Sequence, residues 1–304
     1  MKTITQLIKR NMLVYCKNRA NLFFSFLTMF IIIALQLVFL GNMNVKEVES
    51  TLANLGGVRD VAQDHANAVN LIYSWVIAGI LVVNSVTVTL NVIGIMTEDE
   101  DKKRLTSFFV APISRTKLII SYISTGIIMG IFFSLVALLI SEIVIVAAGG
   151  YLLSVSQLLK AVGLLVIIVF SAACLTFFIA IFVHSVSAFN GLSTVIGTLI
   201  GFVTALYLPM GMLPESVQNV LKLFPILHGS SLMRSVFTER AVADTFHGLP
   251  EIASKQYNDF MGMSLTWGTT TISDITKVII LLGSGIIFML LSFVILKRRS
   301  TADR

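Results

Sequence analysis

Long apolar runs alternate with polar, charge-bearing segments along this chain, and six of them, at residues 22–41, 69–96, 118–148, 158–183, 191–208 and 275–296, are of membrane-crossing length. A helix rises about 1.5 Å per residue, so roughly 20 apolar residues cross a hydrocarbon layer of ~30 Å, and each run predicts a spanning helix. The second and third runs exceed that length, which predicts tilt or extension beyond the layer as stalks. Residues 97–117, TEDEDKKRLTSFFVAPISRTK, break the pattern with a polar segment that has an apolar side. Thr97 and Glu100 have capping-box spacing, and Glu98 and Asp99 lie where a helix dipole favours anions, so the pattern predicts a helix starting at Thr97. Leu105, Phe108 and Phe109 then fall at i, i+3 and i+4, with Lys102, Lys103 and Arg104 beside them, and Pro112 ends the helix after about three turns.

The flanking segments are patterned too. Residues 1–21 place Ile4, Leu7, Ile8 and Tyr15 on one helical face with Lys9, Arg10 and Lys17 elsewhere, which predicts an amphipathic elbow helix in the inner membrane interface, a frayed tail being the alternative. Residues 42–68 read as a solvated polar loop turning at Gly56–Gly57. In residues 209–274, Pro209, Pro214 and Pro225 punctuate two short apolar helices, about 215–223 and 227–237. Helices that short do not span, so they read as a re-entrant pair on the outer side. A polar stretch, 238–274, follows, with Trp267 as an interfacial anchor and Ser273 as a cap for the last span.

Composition sets the class. With 56% hydrophobic and 12% charged residues and a mean hydropathy of +0.91, the chain holds more apolar surface than one soluble core hides. The expected fold is an all-α integral membrane protein of six spans, with an elbow at residues 1–21 and one transmembrane domain over 22–304. Basic residues gather before the first run, between the second and third, and after the last, so both ends are expected on the cytoplasmic side of the plasma membrane. Those basic residues border the membrane instead of forming one stripe, which excludes a nucleic-acid partner. The first run is longer than a signal-peptide core and no small-x-small cleavage site follows it, so it reads as a permanent span. Cys16 and Cys174 lie in the arm and inside the fourth run and are not expected to pair.

Polar residues inside or beside the runs are the candidates for chemistry. The 97–117 segment fits either an interfacial helix dipping into lipid or an aromatic plug for a groove on a cytoplasmic protein. Asn84, Thr87 and Asn91 share one face of the second run and either bond to neighbouring helices or line a transport path. Glu142, toward the outer end of the third run, either reaches the interface or serves that path. Gly197 and Gly201 have small-xxx-small spacing, a signature of helix packing that also suits a dimer interface. The four histidines, His65, His184, His228 and His247, are scattered without carboxylates or thiols at ligand spacing, so no metal is expected. A sparsely charged lining suits an amphipathic drug, peptide or lipid. A stand-alone secondary transporter or channel is the alternative class; an intramembrane enzyme ranks behind both, because the spans offer only Glu142 as a strong acid.

The order of basic arm, six spans, a charged segment ending in FFVAPISRTKL, and an outer pattern of Leu213, Pro214, Pro225, His228 and Arg234 resembles the permease subunit of type-2 ATP-binding cassette (ABC) exporters over essentially the whole chain. Leu105–Thr106 and Pro112–Ile113–Ser114–Arg115 occupy that family's positions, whereas Lys103 or Arg104 stands where Gly is usual and Ser121–Tyr122 where Gly-Lys is common. The resemblance implies a separate cytoplasmic ABC ATPase that binds ATP and Mg, with no cofactor and no catalysis in this chain, which lacks a G-x-x-x-x-G-K-[ST] loop. It further implies that Lys102, Lys103, Arg104, Leu105, Phe108 and Phe109 form the coupling helix and that His184 to Asn190 make a second contact. One copy of six spans, set in membrane lipid, has only a partial wall for a path, so a second copy or a sister permease is expected.

Overall fold

The computed structural model describes the chain except for residues 1, 20–21, 24–25, 28–29, 32–33, 35–41, 55–59, 106–112, 269 and 303–304. The described residues form α1 (Lys2–Lys17), α2 (Asn42–Asn54), α3 (Val61–Asp101), α4 (Arg115–Ala147), α5 (Val155–Ala180), α6 (Val186–Val203), α7 (Glu215–Leu221), α8 (Pro225–Thr245), α9 (Glu251–Phe260) and α10 (Asp274–Ala302). A small antiparallel hairpin, β1 (Thr266–Trp267) and β2 (Thr270–Thr271), precedes α10, with Thr266 opposite Thr271. Among the described residues five helices, α3, α4, α5, α6 and α10, are long and apolar enough to cross a membrane, and they correspond to the second to sixth apolar runs. The first run, residues 22–41, falls largely outside the described residues; within it, Phe26 packs its ring 5.1 Å from that of Phe133 on α4.

Local chemistry explains most helix starts. The Asp60 carboxylate accepts the Ala62 and Gln63 N–H groups at the head of α3. Ser154 and Gln157 form a reciprocal capping box on α5, and Ser185 caps α6. Pro225 stands at the first position of α8, where a missing N–H costs nothing. The expected cap on the last span is present: Ser273 Oγ accepts the Thr276 N–H at 3.2 Å.

The centre of the fold is α3. Its 41 residues give a rod of about 60 Å, twice the ~30 Å hydrocarbon thickness. Its apolar window is 89% buried, against 17% for α6 and for α10, so α3 is the axis and those two helices are outer walls. Helices α2, α4, α5, α6 and α8 surround it. Close approach requires small residues: a Cβ on Gly130 of α4 would sit 2.7 Å from both Thr89 Cγ2 of α3 and Val169 Cγ1 of α5. Several hydroxyls inside the bundle are satisfied locally or across helices. Thr89 donates to the Ser85 and Val86 carbonyls, and Ser85 Oγ lies 3.0 Å from Ser134 Oγ.

Three sequence expectations are corrected. The expected solvated loop over residues 42–68 is replaced by helix at 42–54 and 61–68, and α2 buries Val45, Val48 and Leu52 against the bundle core; these recur at i, i+3 and i+7, a helical stripe that the surrounding polarity obscured. Gly56–Gly57 lies outside the described residues. The second outer helix does not stop near residue 237 but runs to Thr245, and the stretch after it is folded as α9 and the hairpin. No helix starts at Thr97, because α3 continues through it to Asp101. Thr97 is fully buried inside that helix and its hydroxyl has no hydrogen-bond partner among the described residues.

A side chain at Gly130 would force three helices apart. We expect Gly130→Leu to destabilise the detergent-solubilised protein by about 1–3 kcal/mol. Gly163→Leu, at a position with nothing within 4 Å of the added Cβ, should leave the thermal melting midpoint near that of the parent.

Candidate functional site

The C-terminal end of α3 gathers charges from four separate parts of the chain. Asp99 is fully buried there. Arg10, on α1, reaches across with both terminal nitrogens: Nη2 donates to Asp99 Oδ1 at 2.7 Å and Nη1 donates to Oδ2. Tyr122 of α4 donates its hydroxyl to Asp99 Oδ2 at 2.7 Å, and Arg104 Nη1 stands 3.4 Å from Oδ1. Charge-assisted hydrogen bonds from a guanidinium fork fix this buried carboxylate in place. Hydrogen bonding to Asp99 in turn raises the Arg10 guanidinium above its ordinary range, against the opposing effect of burial.

The helix faces explain how Arg10 arrives. Leu7, Asn11 and Tyr15 are the buried residues of α1, and the Tyr15 ring meets Phe133 of α4 edge-on at 6.0 Å. The apolar face expected of the elbow is therefore present, but it packs on protein. Arg10, beside that face, points at the α3 end.

The residues next to Asp99 complete the cluster. Lys102 Nζ pairs with Glu98 Oε1 at 2.6 Å, one helical turn back. His184 Nδ1 lies 2.7 Å from Glu100 Oε1, which fastens the short connection between α5 and α6 to the same helix end. Thus the segment from His184 to Asn190, expected to act alongside the coupling segment, touches it through His184.

Lys103 closes α3 with a φ of 55°, the left-handed region that a side chain disfavours by about 1–2 kcal/mol. This is one of the two positions where the resemblance places Gly, and the backbone shows why Gly suits it. Lys102, Lys103 and Arg104 are exposed at this turn and Leu105 is half-buried. Phe108 and Phe109 lie outside the described residues.

The other sequence candidates separate. Asn84 is buried and its Nδ2 has no hydrogen-bond partner among the described residues; Thr87 is half-buried and bonds back to the Val83 and Asn84 carbonyls; Asn91 is exposed. They form one strip leading from the core to the surface of α3. Glu142 Oε2 accepts the Leu153 N–H at 3.0 Å and so clamps the connection that follows α4. Gly201 makes room for a ring, since an added Cβ would lie 2.3 Å from Tyr207 Cζ of the same chain, whereas Gly197 faces open space. The two glycines therefore do not act as a pair.

At the opposite end of the bundle, the His228 and Arg234 pattern staples backbone. Arg234 is fully buried on α8; its Nη2 donates to the Ala205 carbonyl at 2.8 Å and its guanidinium lies 4.1 Å over the Trp75 ring. Trp75 Nε1 donates to the Met261 carbonyl at 2.9 Å. Ser230, Ser231 and His228 bond to the carbonyls of Thr204, Met263 and Lys222. These contacts join α3, α8 and the segments around residues 205 and 262.

Sequence reading missed the Arg10–Asp99–Tyr122 group. Asp99 looked like a dipole partner at a helix start, and only an arginine on the polar edge of α1 hinted at a counter-charge.

Residues 41–294 match the model of a family described as ABC-2 family transporter protein. No curated protein matches the chain.

Two stability outcomes follow from the cluster. Asp99→Leu should cost about 3–5 kcal/mol, the usual penalty for removing one partner of a buried pair, and adding Arg10→Met should recover part of it; thermal melting of the single and double variants measures this. Lys103→Gly should raise stability by about 1 kcal/mol by relieving the left-handed side chain, read as a higher melting midpoint.

Proposed function

Because this chain belongs to the ABC-2 family transporter proteins and is a multi-pass permease subunit of an ABC transporter, we propose that it is the membrane half of an exporter driven by a separate cytoplasmic ATPase. In this reading the Asp99 end of α3 faces the cytoplasm, as the basic residues of the borders favour. The ATPase grips the coupling segment, residues 97–117, through Lys102, Lys103, Arg104, Leu105, Phe108 and Phe109. ATP and Mg are bound by that partner.

The observation that carries the proposal is the position of the Asp99 cluster. It lies at the end of the longest helix in the described structure, in the opening residues of the coupling segment, and ties that end to α1, α4 and the α5–α6 connection. A displacement applied there moves four parts of the chain as one body. Because α3 is enclosed along its apolar length, it passes the motion to the bundle without bending away from its neighbours.

A transport path forms against a second permease, either another copy or a sister chain. Helices α6 and α10 offer the broadest unburied apolar walls for that partner or for lipid: Val195, Leu199 and Phe202 on α6, and Ile279, Ile286 and Leu290 on α10, are exposed. Asn84, Thr87 and Asn91 are the candidate path residues, Gly197 a candidate contact between copies, and an amphipathic drug, peptide or lipid the proposed cargo.

Reversing the charges of Lys102, Lys103 and Arg104, or replacing Phe108 and Phe109 by Asp, should cut ATPase co-purification by roughly tenfold or more, the order expected when a buried anchor is lost. Membrane insertion should persist. Full co-purification and full transport by both variants would overturn the proposed coupling.

A further inference from the structure

A half-open cavity of about 330 Å³ lies at the Asp60 end of α3, between α2, α3, the last turn of α8, and α9. Its volume falls in the lower part of the range for small-molecule sites. Val48, Ile72, Phe246 and Phe260 give it apolar walls, and among the described residues Glu47 is the only charged one lining it. The rings of Phe246 and Tyr257, which also lines it, have centroids 5.1 Å apart.

Two polar features make this more than a gap in packing. The Tyr257 hydroxyl is enclosed and has no hydrogen-bond partner among the described residues, a state that buried polar groups seldom keep in the absence of a ligand or water. Burial and then the nearby Glu47 charge push that phenol above its ordinary range, so it is neutral at neutral pH and able to accept or donate a hydrogen bond. Glu47 itself is exposed at the rim, where its carboxylate repels anions and attracts cations.

We propose that this cavity binds an amphipathic organic cation, with an apolar body against the Phe246, Tyr257 and Phe260 rings and an ammonium group that pairs with the Glu47 carboxylate and draws the enclosed Tyr257 hydroxyl round to accept a hydrogen bond. Aromatic faces beside a carboxylate favour an alkylammonium over a neutral or acidic molecule of the same body. The site is built from α2 and α9 as much as from α3, and it lies on the side that the proposed orientation places outside the cell. It needs no ATPase, so it stands or falls apart from the proposed coupling.

The test uses the full chain in lipid nanodiscs and the environment-sensitive amine dansylcadaverine, compared with neutral pentyl dansylamide and with the dansyl conjugate of 6-aminohexanoic acid. Saturable binding of the amine above the level of empty nanodiscs is expected, with the neutral and acidic probes weaker by roughly tenfold or more, the scale of one charge-assisted contact. Glu47→Gln should weaken the amine by about tenfold and leave the neutral probe unchanged, and Tyr257→Phe should weaken the amine several-fold. Ala253→Trp, which fills the cavity, should abolish binding of every probe. If that variant does not fold, Glu47→Gln decides, since its side chain lies at the exposed rim. The proposal is overturned if empty nanodiscs give the same signal, if the amine and the neutral probe bind equally, or if a folded Ala253→Trp protein still binds.

Discussion

The constraint on which this structure turns is that one helix, α3, buries nearly its whole circumference. A helix enclosed on all sides has no solvent or lipid to absorb misfit, so close approach needs small side chains at the crossing points and hydroxyls that bond back to the helix or across to a neighbour. Gly130 brings α4 and α5 to van der Waals distance of α3. The back-bonded threonine Thr89 and the Ser85–Ser134 pair keep polar groups in the bundle without exposing backbone. The result is an axis whose displacement its neighbours share.

The two ends of that axis solve opposite electrostatic problems. At one end Asp99 is a buried anion, and its charge is matched by Arg10 and Arg104 and by the Tyr122 hydroxyl, all drawn from other segments or from the turn beyond it. At the other end Arg234 is a buried cation with no carboxylate beside it among the described residues, held by the Ala205 carbonyl and the Trp75 face. Ion pairing localises a rigid joint; stacking and carbonyl contacts fasten several loops at once. The first arrangement suits the proposed point where force enters, and the second suits a cap that holds the far end together.

Around this axis the walls differ in purpose. α6 and α10 leave most of their apolar surface uncovered, while α8, more polar on average, is buried among α3, α5 and α10. Membership in the ABC-2 family fits a chain whose outer walls meet lipid or a partner and whose centre is already packed. Tyr207 claims the space beside Gly201, which leaves Gly197 as the member of that pair open to another chain.

The sequence by itself determined the membrane class, the second to sixth apolar helices, the apolar face of α1 and the Ser273 cap, because hydropathy, helical periodicity and capping act over a few turns of one segment. It also carried the family resemblance, since the order of runs and punctuating residues is linear information. The tertiary structure alone decided that Thr97 lies inside α3, because a capping pattern says nothing about whether neighbouring helices reward continuing the helix. It decided that Val45, Val48 and Leu52 fold α2 onto the core and that Glu142 clamps a connection. Above all it joined Arg10 to Asp99 across 89 positions of sequence. Contacts of that kind depend on where whole helices come to rest, and no local pattern of residues encodes that distance.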